Sequence, residues 1–133
     1  MEKAKLSKET LNDLGGLIVD ACYEVHTELG PGLLESVYVT ALLKELELRG
    51  ISARKSVPLR LYYKGHDTGK ELEMDLLVED EIIIEAKSKE QMHPIFTAQI
   101  ISHLKLTKKR LGYLVNFNVP RIKDGIKRYV NGL

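Results

Sequence analysis

The sequence predicts an α/β fold, a mixed sheet flanked by helices, and three observations lead there. Apolar residues recur at three- and four-residue steps through most of the first fifty positions, the period switches to alternation after Gly50, and one further helical stretch separates the third strand from the fourth. The resulting order, α-α-β-β-β-α-β plus a tail, differs from a doubly wound nucleotide-binding fold, and the sequence has no Gly-rich phosphate loop. At 133 residues, 44% of them hydrophobic and 29% charged, the chain suits one domain over residues 1–133 whose core needs no covalent staples.

Ser7 is placed to cap the first helix. Leu11, Leu14, Ile18, Cys22, Val25 and Leu29 give that helix one apolar face over about residues 8–29, up to Gly30-Pro31. Gly15-Gly16 weakens it unless another backbone packs closely there. Leu34, Val37, Ala41, Leu42 and Leu48 repeat the helical step from Leu33 to about Arg49, and Gly50 supplies the stop. Val57, Leu59, Leu61 and Tyr63 then alternate with Pro58, Arg60 and Tyr62 as a strand. Residues 64–69 read as a turn-rich loop, and residues 71–78 and 82–87 as two more strands around Glu79-Asp80-Glu81. Pro94 suits the first turn of a third helix running to about Lys109, and residues 111–116 form a fourth strand. Residues 121–133 have two readings: Ile122, Ile126 and Val130 fit a helix, whereas Ile126, Arg128 and Val130 fit a strand after Asp124-Gly125.

Composition narrows the chemistry. A single cysteine, Cys22, excludes an internal disulfide and a multi-cysteine zinc site, and fits a reducing cytoplasm. There is no basic-then-apolar leader and no apolar run near the roughly 20 residues that span a bilayer, so a cytoplasmic protein without a membrane partner is expected. The net charge of +1 conceals an asymmetry: residues 1–90 carry 12 Lys and Arg against 18 Asp and Glu, a net of −6, and residues 91–133 carry 8 against 1, a net of +7. A basic C-terminal third serves phosphates or packs against acidic elements of its own fold, and charge alone favours the second. His26, His66 and His93 show no zinc-ligand spacing.

The hairpin ELEMDLLVEDEIIIEAK carries the most information. A two-residue turn would set Asp75 opposite Ile84 and mix charged with apolar sets. A three-residue loop over Glu79-Asp80-Glu81 instead pairs Val78 with Ile82, Leu76 with Ile84 and Met74 with Ala86, and so Asp75 with Glu85 and Glu73 with Lys87. This register predicts Met74, Leu76 and Val78 on one face and Glu73, Asp75 and Leu77 on the other, with the two carboxylates about 5 Å apart at Cβ. Adjacent anions need neutralising, and a hard cation does so with one or two carboxylates plus waters or phosphate oxygens. The alternative is a solvated face on which Lys87 pairs with Glu73 or Glu85. Leu77 and Ile83 on that face argue that it is partly covered, where unpaired charges are costly.

Asp75, then Glu85-Ala86-Lys87, then Gln99 on the following helix resemble the core motif of the PD-(D/E)XK nuclease superfamily. Gly32-Leu33-Leu34-Glu35-Ser36-Val37-Tyr38 resembles the signature of its GxxExxY family. The similarity runs from about His26 to Arg128, through HTELGPGLLESVY, DLLVEDEIIIEAK, LKLTKKRLGYLVNFNV and IKDGIKRYV. It implies a restriction-endonuclease-like α-β-β-β-α-β core. It also implies that Asp75, Glu85 and the backbone carbonyl of Ala86 hold Mg2+, with Mn2+ as a substitute, that Lys87 is the catalytic lysine, and that Gln99 is an orienting residue. Glu35 would project toward the same cluster as a further acidic ligand, with Tyr38 packing or hydrogen-bonding one turn away and His26 approaching Glu35 across the Gly-Pro-Gly turn. Read without the resemblance, Glu35 is a helix-start carboxylate favoured by the dipole and Gln99 a helix-surface amide.

The sequence departs from that pattern at three positions: Met74 replaces the motif proline, Glu73 stands where many relatives have a basic residue, and His103 where a tyrosine is usual. Glu73 would add negative charge at the site, strengthening metal attraction or repelling DNA, and His103 could make the aromatic or polar contact of the tyrosine, although a helix histidine is more often packed or solvated than functional. Lys105, Lys108, Lys109 and Arg110 at the end of the third helix, with Arg121, Lys123, Lys127 and Arg128, are the candidates for backbone-phosphate contacts. The expected function is a divalent-metal-dependent nuclease hydrolysing phosphodiester bonds in nucleic acid, DNA foremost, with a homodimer or a larger protein as partner. A nuclease-fold module for nucleic-acid binding or protein assembly, with little or no turnover, is the rival, and a small-molecule acid–base enzyme is the weaker third.

Overall fold

The structure is a computed structural model describing residues 5–133. Helix α1 (Lys8–Leu29) begins where the Ser7 hydroxyl accepts the Thr10 N–H and ends at Gly30, so both of its ends follow the sequence reading. Helix α2 (Glu35–Leu48) starts at Glu35 itself, two residues after the expected start. Strands β1 (Ala53–Tyr63) and β2 (His66–Val78) are longer than expected. The expected 64–69 loop shrinks to Lys64-Gly65, whose two positive φ angles suit a tight hairpin turn. Strand β3 (Ile82–Lys87), helix α3 (Pro94–Thr107) and strand β4 (Leu111–Asn116) follow. The ambiguous tail becomes a short 3-10 turn over residues 122–125 and a strand, β5 (Ile126–Val130), which settles that reading for the strand.

The five strands form one mixed sheet in the order β1-β2-β3-β4-β5, antiparallel except for the β3/β4 pair. Leu11, Ile18, Tyr38, Leu42 and Leu46 on α1 and α2 pack with Leu76, Val78, Ile82 and Ile84 on one face. A smaller cluster of Val57, Met74, Leu77 and Ile83 packs with Leu104 of α3 on the other. Gly15 in α1 is explained by a side chain rather than the expected backbone approach: a Cβ there would overlap the Tyr113 hydroxyl, while Gly16 faces open space. Buried Cys22 has its thiol pushed up to about 12 by burial, which makes it an inert core residue.

The β2/β3 register follows the three-residue loop, with Val78 opposite Ile82, Leu77 opposite Ile83 and Leu76 opposite Ile84. There the pairing ends, so the expected Asp75/Glu85 and Glu73/Lys87 backbone pairs do not form. Ser56, at the β1 position level with Asp75, takes a positive φ of 55°, and the alternation of β2 is interrupted at this level. Met74 consequently lies in the α3-side cluster with Leu77, and Glu73 and Asp75 line a cleft with Glu35, Ser36, Val39 and Thr40 of α2. Both face assignments for residues 73–75 are thereby corrected. Beyond the break β2 pairs only with β1, as a two-stranded arm. Pro58 and an irregularity between Arg60 and Tyr62 make the free edge of β1 a poor template for another strand.

Candidate active site

The site forms where β2 leaves β3. A strand that diverges leaves the next peptide groups of its neighbour without ladder partners, and those groups must be satisfied some other way. Asp75 supplies the answer for one of them: its Oδ2 accepts the Ala86 N–H at 2.8 Å. Lys87 C=O accepts Phe117 N–H on the other side of β3, so strand alternation turns the C=O of Ala86 toward the gap as well. Two carboxyl groups meet here. The Asp75 carboxyl is pushed up to about 7, first by burial and then by the Glu85 charge, with the Ala86 N–H and the Lys87 ammonium acting in the opposite sense. The two acids are close enough to share a hydrogen bond when one is protonated.

Glu85 points to the α3 side, where its Oε1 lies 2.9 Å from Nδ1 of His103. Both residues are buried. His103 is therefore packed, as a helix histidine usually is, and is in addition a direct partner of a candidate acid. The Lys87 ammonium sits 4.5 Å from the centre of the Phe96 ring, not against Glu73. Gln99 is exposed on α3, at helical spacing between Phe96 and His103, which puts all three on the flank facing Lys87 and Glu85.

Glu35 lies in the cleft that Asp75 lines, but its carboxylate is engaged elsewhere: Oε1 accepts the Ser88 N–H at 3.4 Å and stands 3.6 Å from the Lys89 ammonium. The Ser88 hydroxyl donates to Leu33 C=O at 2.6 Å, and buried Asn116 holds Lys89 by accepting its N–H at 3.1 Å and donating to its C=O at 2.9 Å. Residues 88–89, directly after Lys87, are thus clamped from two sides. Tyr38 secures the clamp's other wall, donating to Gly30 C=O at 2.6 Å, accepting Leu33 N–H at 3.1 Å and stacking on Phe117 at 4.5 Å. Tyr38 thus both packs and hydrogen-bonds one turn from Glu35, as expected, and what it fixes is the Gly-Pro-Gly turn. His26 stays away from Glu35; its Nε2 lies 2.8 Å from Val119 C=O.

Among the described residues no three Asp, Glu, His or Cys side chains gather closely enough to hold a metal, so Glu35 does not complete a three-acid cluster. The donor set nevertheless fits a hard divalent cation. It offers two carboxyl groups held together against their repulsion and a carbonyl turned into the gap between strands, and magnesium needs no more from a protein than this, taking waters for the rest.

The basic candidates divide by position. Ile82 pairs with Leu111 and Lys87 with Asn116, so Lys105, Lys108, Lys109 and Arg110 lie at the end of the sheet away from Lys87, about 17 Å along the strand. Arg110 there donates to Leu6 C=O at 2.6 Å and lies 3.9 Å from Glu81. Exposed Arg121 and Lys123 follow the other end of β4, the end that carries Lys87. Lys127 is in register with Leu114, and Leu114 with Glu85, about 10 Å away across two strand spacings. Arg128 faces α1 and donates to Asn12 at 2.7 Å. Lys89, Phe96 and Asn116 were not foreseen in the sequence, nor was Lys55, which lines the cleft with Glu73 and Asp75. Only Phe96 carried a signal, its helical spacing to Gln99 and His103.

Among the described residues no helix is long and apolar enough to cross a membrane. The sequence matches a family model described as the PD-(D/E)XK nuclease superfamily over residues 12–129. No curated protein matches the chain.

Proposed function

The chain belongs to the PD-(D/E)XK nuclease superfamily, and from that premise we propose that it is a magnesium-dependent nuclease hydrolysing phosphodiester bonds in DNA, with manganese as a substitute ion. The observation that carries the reading is the pair Asp75 and Glu85, drawn together at the strand divergence with the Asp75 carboxyl pushed up to about 7. Such a pair is the sort of perturbed, convergent chemistry that marks functional sites.

Asp75, Glu85 and the Ala86 carbonyl hold the ion, which supplies Lewis-acid polarisation of a phosphate oxygen and a water of lowered pKa. Lys87, resting on the Phe96 ring, keeps N–H donors for the oxygen on which charge builds at phosphorus. Glu35 acts one step back, holding the Ser88–Lys89 segment and with it the direction in which Lys87 leaves β3. Gln99, between Phe96 and His103 on the same helical flank, orients water or substrate. The GLLESVY segment then reads as the GxxExxY signature, its Glu35 and Tyr38 fixing the turn and loop beside the acids. A second copy or a larger partner would lengthen a footprint that one chain of this size covers only in part.

The test is cleavage of linear duplex DNA, single-stranded DNA and RNA with Mg2+, Mn2+ or chelator. Cleavage of duplex DNA is expected only with an ion. Lys87→Ala is expected to lose about 10²–10³-fold, as for other single transition-state donors, and Asp75→Ala at least as much. Cleavage that survives chelation or Asp75→Ala overturns the reading, and tight binding without cleavage identifies a nuclease-fold binding module instead.

A further inference from the structure

Glu85 has two carboxylate oxygens and, as a nuclease ligand, needs one of them aimed into the gap beside Asp75. Oε1 is held at 2.9 Å by Nδ1 of His103, and both side chains are about nine-tenths buried, at 9% and 10% exposure. A carboxylate only accepts, so the proton of this bond is on Nδ1 and the tautomer of the ring is set by Glu85. His103 is itself held in α3, one turn beyond Gln99, in a segment whose Leu104 packs against Ile83. The bond therefore ties the acid on β3 to a rigid element on the other side of the core.

We propose that His103 is the positioning residue of this site. By holding Oε1 it fixes the rotamer of Glu85, so that Oε2 is the oxygen presented to the ion together with Asp75 and the Ala86 carbonyl. This rests on the reading of Asp75 and Glu85 as metal ligands. Hydrogen-bond partners of ligating carboxylates orient them, and losing one typically weakens metal affinity about 10–100-fold.

Calorimetric titration of the metal-free protein with Mn2+ separates the claims without relying on turnover. The wild type is expected to take up the ion and Glu85→Gln to lose it. His103→Phe keeps a ring of similar volume but no donor, and is expected to bind about 10–100-fold more weakly. His103→Asn places an amide N–H where Nδ1 stood and is expected to restore affinity to within about threefold, with melting temperatures showing that every variant is folded. Wild-type affinity in His103→Phe, or equal loss in His103→Phe and His103→Asn, overturns the positioning role while leaving the metal reading intact. No uptake by the wild type overturns the metal reading, and the positioning role with it.

Discussion

At the scale of single residues, Asp75 shows what the site costs the fold. Its carboxyl titrates near 7 in the folded chain, against an ordinary value of 3.8, because burial and Glu85 disfavour the anion. The folded state therefore holds this proton more tightly than the unfolded chain. The stability this gives is complete below about pH 4 and is lost as pH rises through 7. Asp75→Asn retains an oxygen for the Ala86 N–H and removes the charge. Urea unfolding of the metal-free proteins is expected to show Asp75→Asn more stable than wild type at pH 8 and near parity at pH 4. A variant less stable at pH 8 would mean that the acid pair is not repulsive. A bound divalent ion reverses the logic by favouring the anion, so added Mg2+ should raise the melting temperature of wild type at pH 8 more than at pH 5, and do little for Asp75→Asn.

At the scale of elements, what the sequence revealed followed local chemistry. Helix α1 was legible to its ends because Ser7 and Gly30 are strong punctuation, and the β2/β3 register because only one loop length keeps charged and apolar residues apart. The side to which Asp75 turns was not legible, since the alternation of β2 breaks there, level with a positive φ at Ser56, and serine carries no signal for one. The Lys64-Gly65 turn was blurred into a loop because lysine is not a usual first residue of such turns. The Glu85–His103 bond was hidden because it joins a strand to a helix across the core, beyond any local period. Gly15 makes the same point within α1: propensity favours alanine there by about 1 kcal/mol, yet a Cβ would overlap the Tyr113 hydroxyl and come 3.3 Å from the ring carbon bearing it. Gly15→Ala is expected to destabilise the wild type and to cost clearly less in a Tyr113→Phe background. Additive effects in that double-mutant cycle would show that the two residues do not conflict.

At the scale of the whole molecule, the sheet sorts the basic residues that the sequence left as one cluster. Lys108 and Lys109 end α3 beside the start of β3, where Arg110 is already occupied by Leu6 and Glu81, whereas Arg121 and Lys123 lie at the end of β4 adjoining Lys87. A nucleic-acid backbone with its scissile phosphate at Asp75 and Glu85 would meet the second pair on leaving past Lys87, and the first only at the start of β3, about 10 Å along the strand from Glu85 and about 17 Å from Lys87. Each phosphate contact contributes about 0.9 to the slope of log affinity against log salt on duplex DNA. Arg121→Glu with Lys123→Glu is therefore expected to lower that slope by about one to two and to weaken binding across sequences, while Lys108→Glu with Lys109→Glu leaves the slope nearly unchanged. Binding titrations of an uncleaved duplex, in chelator, over a range of sodium chloride concentrations measure both. The reverse pattern would run the duplex past the far end of α3, too distant for Lys87 to touch the phosphate that anchors it, and would separate DNA binding from the acid pair.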